Sequence, residues 1–144
     1  MSKTRSTKQE FSKKYFTIEQ AEKLVPRIER IMKRVVEQNK ALELLSSIEI
    51  EVYDDDYDNL RRITKTNKKF HKLSYEFYLN LEKLEDMDCV VKDLEVGTID
   101  FHHKFEGRDI FLCWKLGEKN IKFWHETDSD YMGRKPILDL TMNK

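Results

Sequence analysis

Asp93, Asp100, Glu118, His125, Glu126, Asp128 and Arg134 gather between residues 93 and 134 of the 144-residue chain, beside Trp114 and Trp124. Carboxylates near an imidazole can hold a divalent cation or pass protons in general acid–base catalysis. The candidate metal or ligand residues are therefore Asp93, Asp100, His125 and Asp128. Arg134, which follows Gly133, could clamp a carboxylate or a phosphate through its planar fork. Spacing alone does not build a metal centre: His125 and Asp128 stand three residues apart, and no paired cysteines or helical Glu-x-x-His motif completes a set. The same side chains also have structural uses. Asp93, Asp100 and Asp128 can cap turns or bond exposed backbone N–H groups, and Arg134 can form a fork with Asp100 or Asp128 inside the fold. The sequence specifies no cofactor, no metal identity and no catalytic residue.

Cys113 alternates with Trp114 in a strand-like run, so thiol and indole point to opposite faces. One reading is an inert buried thiol. The other is a nucleophile, which needs a base, and His125 on the neighbouring strand is the base available. Cys89 and Cys113 have neither zinc-type spacing nor the look of a disulfide framework, which points to a reducing setting. His71, beside Lys72, reads as a surface residue.

Short alternating runs separated by Gly97, Gly107 and Gly117 place these groups on strands. The expected strands are Cys89–Leu94, Thr98–Phe101, Ile110–Lys115 and Ile121–Glu126, the last two joined at Gly117-Glu118-Lys119-Asn120. Gly133, Arg134 and Pro136 mark an irregular tail. Upstream the period lengthens. Phe16-Thr17-Ile18-Glu19-Gln20 reads as a capping box that opens a helix. Ala21, Leu24, Ile28, Ile31, Val35, Leu42 and Leu45 then recur at spacings of three and four, with Gln38 in the missing seam position. Pro26 is expected to bend this helix without ending it. The acidic run from Glu49 to Asp58 places the hairpin turn. The returning helix carries Leu60, Ile63, Asn67, Phe70, Ser74, Phe77, Leu81 and Leu84.

The expected architecture is α+β: a long antiparallel helical hairpin, coiled-coil-like, followed by a small antiparallel β unit. Its parts are a disordered basic tail over residues 1–15, the hairpin over 16–88, and the β unit with an irregular C-terminal tail over 89–144. On the second helix Arg61, Lys65, Lys68 and Lys72 are spaced four, three and four apart, nearly opposite the seam. This candidate basic face could track the phosphates of RNA or meet another acidic macromolecule. It could equally be a solvated face that keeps the hairpin soluble. Val25, Met32 and Val36 widen the apolar arc of the first helix beyond what one facing helix covers. A second hairpin would cover it in a homodimeric four-helix bundle; packing within one chain is the other solution.

Composition agrees with long exposed helices, since charged residues reach 38% against 39% hydrophobic. Formal net charge is zero, so the layout of charge carries more information than its sum. No run approaches the roughly 18 apolar residues of a membrane span, and no apolar stretch follows the basic N-terminus. No membrane partner is expected, and the expected location is cytoplasmic.

The run Val91-Lys92-Asp93-Leu94-Glu95-Val96-Gly97-Thr98-Ile99-Asp100-Phe101, then Leu112-Cys113-Trp114-Lys115-Leu116-Gly117-Glu118, then Phe123-Trp124-His125-Glu126 with Asp128, Gly133-Arg134 and Pro136, closely resembles a prokaryotic family, domain of unknown function 2203. Phe16-Thr17 with Glu19, Ala21, Leu24 and Pro26 is similar to that family's opening helix. The resemblance implies a helical stretch followed by a Trp- and Gly-rich end piece, and it brings no established activity, substrate or catalytic residue. His102, His103 and Phe105 depart from the pattern, where a connection between strands is expected. The functional expectation is a cytoplasmic binding or interaction protein whose hairpin mediates self-association or partner docking. The alternative is a metal-binding protein or small hydrolytic enzyme with a carboxylate and histidine site in the β unit.

Overall fold

The computed structural model describes residues 13–47 and 57–141; the acidic hairpin turn and most of the basic tail lie outside them. Thr17 caps the first helix, α1 (Ile18–Ser46), in a capping box. Its Oγ1 accepts from the Gln20 N–H at 3.1 Å, and Gln20 Oε1 accepts from the Thr17 N–H at 2.9 Å. The helix runs unbroken through Pro26, which lies exposed. A second helix, α2, spans Tyr57–Asp86. At 29 and 30 residues the two are each about 45 Å long.

The hairpin is staggered. Asn80 Nδ2 donates to Gln38 Oε1 at 3.0 Å, joining the two helices side by side. Ser46, the last residue of α1, lies only eight residues past Gln38, whereas Tyr57, the first of α2, lies 23 before Asn80. The start of α2 therefore reaches past the end of α1 by roughly 20 Å. The overhang explains a departure from the expected seam: Leu60 is 53% exposed and Asn67 is exposed, while Asn80, outside the expected seam, is buried. Phe77 and Leu84 are buried as the spacing requires.

Five antiparallel strands follow in a simple meander, β1 (Val90–Asp93), β2 (Thr98–Phe105), β3 (Arg108–Lys115), β4 (Phe123–Glu126) and β5 (Lys135–Pro136). A 3₁₀ turn, Tyr131–Gly133, precedes β5, and a short helix, α3 (Leu138–Thr141), follows it. β2 extends four residues past its expected end, so His102, His103 and Phe105 are strand and not connection. Glu106 and Gly107 supply the reason. Their φ values of 51° and 79° make a two-residue turn of the kind that matches strand twist, so pairing continues to Phe105 opposite Arg108. Beyond β1 the exposed edge of β2 is closed by the incoming chain, where Phe16 N–H donates to the His102 carbonyl at 2.7 Å.

Ile99, Phe101, Ile110, Leu112, Trp114 and Trp124 face the helices and share one core with Ala21, Val25, Ile28, Met32 and Val35. Val25, Met32 and Val36, the residues that widen the apolar arc of α1, are all buried within the single chain. Gly97 marks how closely sheet and helix approach: a Cβ there would stand 3.0 Å from both Leu116 Cβ and Met32 Cγ. No helix among the described residues is long and apolar enough to cross a membrane.

Candidate metal centre

Asp100, Cys113 and His125 come from β2, β3 and β4, and alternation puts all three on the sheet face opposite Trp114 and Leu112. Asp100 is paired directly with Cys113, and His125 is paired with Phe111, one pleat further along β3. An antiparallel sheet packed on helices ordinarily leaves this second face to solvent. Here all three residues are only 1% exposed. They form the floor of a cavity of about 520 Å³ whose walls include Lys92, Thr98, Lys115 and the stretch from Ser129 to Met132. Gly133 abuts the Ser129 side chain, whose hydroxyl would have to rotate away to admit a Cβ there.

A carboxylate oxygen of Asp100, Sγ of Cys113 and a ring nitrogen of His125 all lie within 4.8 Å of one another. His125 is held at both ends. Its Nδ1 is 2.8 Å from the Glu126 carbonyl oxygen and its Nε2 is 2.9 Å from Asp100 Oδ2. A carbonyl can only accept, so Nδ1 carries the proton and Nε2 is the nitrogen presented to Asp100. Burial works against the imidazolium form, but the bonds to Asp100 and the Glu126 carbonyl outweigh it and hold the His125 pKa above its ordinary value.

Burial pushes the Cys113 thiol up to about 12, and the neighbouring Asp100 charge adds to the effect. The group is thus a thiol at neutral pH in this setting, which removes the cysteine nucleophile unless a positive charge enters beside it. Asp100 Oδ1 is buried and makes no hydrogen bond among the described residues. Leaving such an acceptor unmet is costly, more so for a charged group. Oxygen, nitrogen and sulfur donors converging from three strands match the ligand count of a catalytic zinc site, in which a fourth position stays open. A thiolate donor favours zinc over magnesium or calcium, which take oxygen ligands.

The other sequence candidates lie elsewhere or are already engaged. Asp93 accepts from the N–H groups of Glu95 at 2.7 Å and Val96 at 3.2 Å, capping the turn after β1 at the cavity wall. Asp128 is exposed in the turn after β4. Arg134 donates to both oxygens of Glu118, at 2.7 and 2.9 Å, and lies over the rings of Phe123 at 4.0 Å and Tyr131 at 4.6 Å. Its fork partner is therefore Glu118, not Asp100 or Asp128. Sequence reasoning set Cys113 beside His125 as a nucleophile with its base, but did not count it as a metal donor with Asp100 and His125. The available signal was the Glu106-Gly107 turn, because a two-residue turn there fixes Asp100 opposite Cys113.

On α2, Arg61, Lys65, Lys68 and Lys72 are all exposed. Their stripe continues at spacings of three and four into Tyr75 and Leu79, which are 67% and 39% exposed.

A profile for the family described as "Uncharacterized conserved protein (DUF2203)" matches residues 14–137. The chain belongs to that family. No curated protein and no solved structure matches it.

Proposed function

We propose that this member of the DUF2203 family is a zinc-type metal protein, with Asp100, Cys113 and His125 as ligands and a fourth position open to the cavity. The observation that carries the reading is the buried convergence of three unlike donors with His125 Nδ1 anchored on a backbone carbonyl, the arrangement that aims Nε2 of a ligating histidine. Such a centre can polarise a carbonyl or phosphoryl oxygen, or lower the pKa of a bound water for hydrolysis. A competing account treats His125 and Asp100 as a plain buried ion pair. In that account the Cys113 thiol bonds the Asp100 carboxylate, while Asp100 Oδ1 has no hydrogen-bond partner among the described residues.

The test is metal analysis of protein purified without added chelator, repeated on His125→Ala, Asp100→Asn and Cys113→Ser. About one equivalent of zinc in the parent, with affinity falling at least tenfold in each variant, is the expected result. Full zinc occupancy in all three folded variants would refute the assignment.

The hairpin supports a second reading as a binding arm. Lys65, Lys68 and Lys72 stand exposed on the part of α2 that includes the overhang, with Tyr75 next on the stripe. This suits contact with RNA, where cations follow phosphates and an aromatic ring stacks on a base. RNA binding that weakens steeply with salt and with Lys65→Glu plus Lys68→Glu is the expected outcome. Salt-insensitive binding, or none, removes this reading. Homodimer formation would have to use exposed residues such as Leu44 and Leu60, because the wide arc of α1 is already covered within the chain. Sedimentation that depends on concentration, and is abolished by Leu60→Glu, would support it; a monomer throughout would not.

A further inference from the structure

Resting on the zinc reading, we propose that the cavity takes a small organic anion, whose acid group is received by the wall lysines Lys92 and Lys115 while a donor atom of the same molecule fills the open metal position.

Lys92 reaches the cavity by strand alternation, two residues past Val90, which is paired with Asp100, and it sits at an irregularity of the sheet. β1 pairs Val91 with Ile99 and then Asp93 with Thr98, so the register slips by one residue at Lys92. A bulge of this kind bends the strand and redirects a side chain, and bulges gather next to active sites. Lys92 Nζ stands 4.9 Å from the centre of the Phe111 ring, and Phe111 lies on the same sheet face as Cys113. Lys115, at the far end of β3, is paired with Thr98 and holds its Nζ 5.5 Å from the Tyr131 ring. Both ammonium groups therefore rest on aromatic faces around one cavity, and neither forms an ion pair with a carboxylate among the described residues.

The acids of the same walls are differently placed. Asp93 accepts two backbone N–H groups of its own turn, and Asp130 accepts the Met132 N–H at 3.0 Å. Ionised Asp100 and Cys113 would balance the two charges of zinc at the floor. Lys92 and Lys115, in no ion pair among the described residues, then remain as the groups able to receive an incoming negative charge, with the carboxylates of Asp93 and Asp130 in the same wall. A volume of about 520 Å³ falls within the range of small-molecule sites, so the ligand is a metabolite-sized acid and not a polymer. Carboxylates and phosphates both meet these requirements.

The experiment is calorimetric titration of zinc-loaded protein with succinate, with methylphosphonate, and with uncharged succinamide as control. At least one anion is expected to bind while succinamide does not. Lys92→Ala and Lys115→Ala should each weaken that binding about tenfold, with zinc content unchanged. Which of the two anions binds distinguishes a carboxylate from a phosphate ligand. Failure of both anions to bind, or binding that neither substitution alters, would overturn the inference. The same titration on metal-free protein separates it from the zinc assignment: lysine-dependent binding that is equally tight without metal keeps the cationic pair and strikes out the metal contact.

Discussion

Asp100 carries the main electrostatic burden of the sheet's second face. A buried carboxylate is stable only when its oxygens are matched, and here Oδ2 meets His125 while Oδ1 meets nothing among the described residues. A divalent cation bound there would match both, which is the physical basis of the zinc proposal. Cys89 provides the contrast within the same chain. Its Sγ donates to the Leu84 carbonyl at 3.2 Å, and among the described residues it belongs to no cluster of three metal-type donors. Burial raises its pKa from 9.0 to about 12, so the folded state keeps a proton that the unfolded chain gives up. The resulting stabilisation is complete below pH 9.0 and declines as pH rises toward 12. Urea midpoints measured between pH 8 and 11 should therefore fall more steeply in the parent than in Cys89→Ala. Parallel slopes would show that Cys89 is not protected in this way.

At the scale of elements, the sheet is held in place by how closely it lies on α1. Met32 is completely buried, and its Cγ would be one of the first atoms met by a Cβ on Gly97. Met32→Ala should cost about 2–5 kcal/mol in chemical denaturation, since it opens a cavity between helix and sheet. A cost below about 1 kcal/mol would mean that the two layers are not packed together there.

Much of this arrangement was legible from residue periodicity. The capping box at Thr17 and the alternation that sends Trp114 and Cys113 to opposite faces both follow from local rules. The overhang of α2 was not legible, because stagger depends on which turn of one helix meets which turn of the other, and only the Gln38–Asn80 contact fixes that. The strand through His102, His103 and Lys104 was missed because its polar residues hide the period of two. Asp100 and His125 stood out by residue type. Cys113 joins them only through strand pairing, since the three donors are far apart in sequence and the register is set by the turn at Glu106 and Gly107.

For the molecule as a whole, a single core ties the helices to the sheet, and the two faces of that sheet have different tasks. One face closes the core against α1. The other carries no α-helix among the described residues, yet buries a carboxylate, a thiol and an imidazole beside a cavity walled in part by the 3₁₀ turn at Tyr131–Gly133. A fold that needed only stability would place apolar groups there. X-ray absorption at the zinc edge of the loaded protein tests the central claim most directly. One sulfur at about 2.3 Å with nitrogen and oxygen at about 2.0 Å is the expected shell, and the sulfur should vanish in Cys113→Ser. A shell without sulfur in the parent, or failure of the protein to retain zinc at all, would contradict the assignment of Asp100, Cys113 and His125 as ligands.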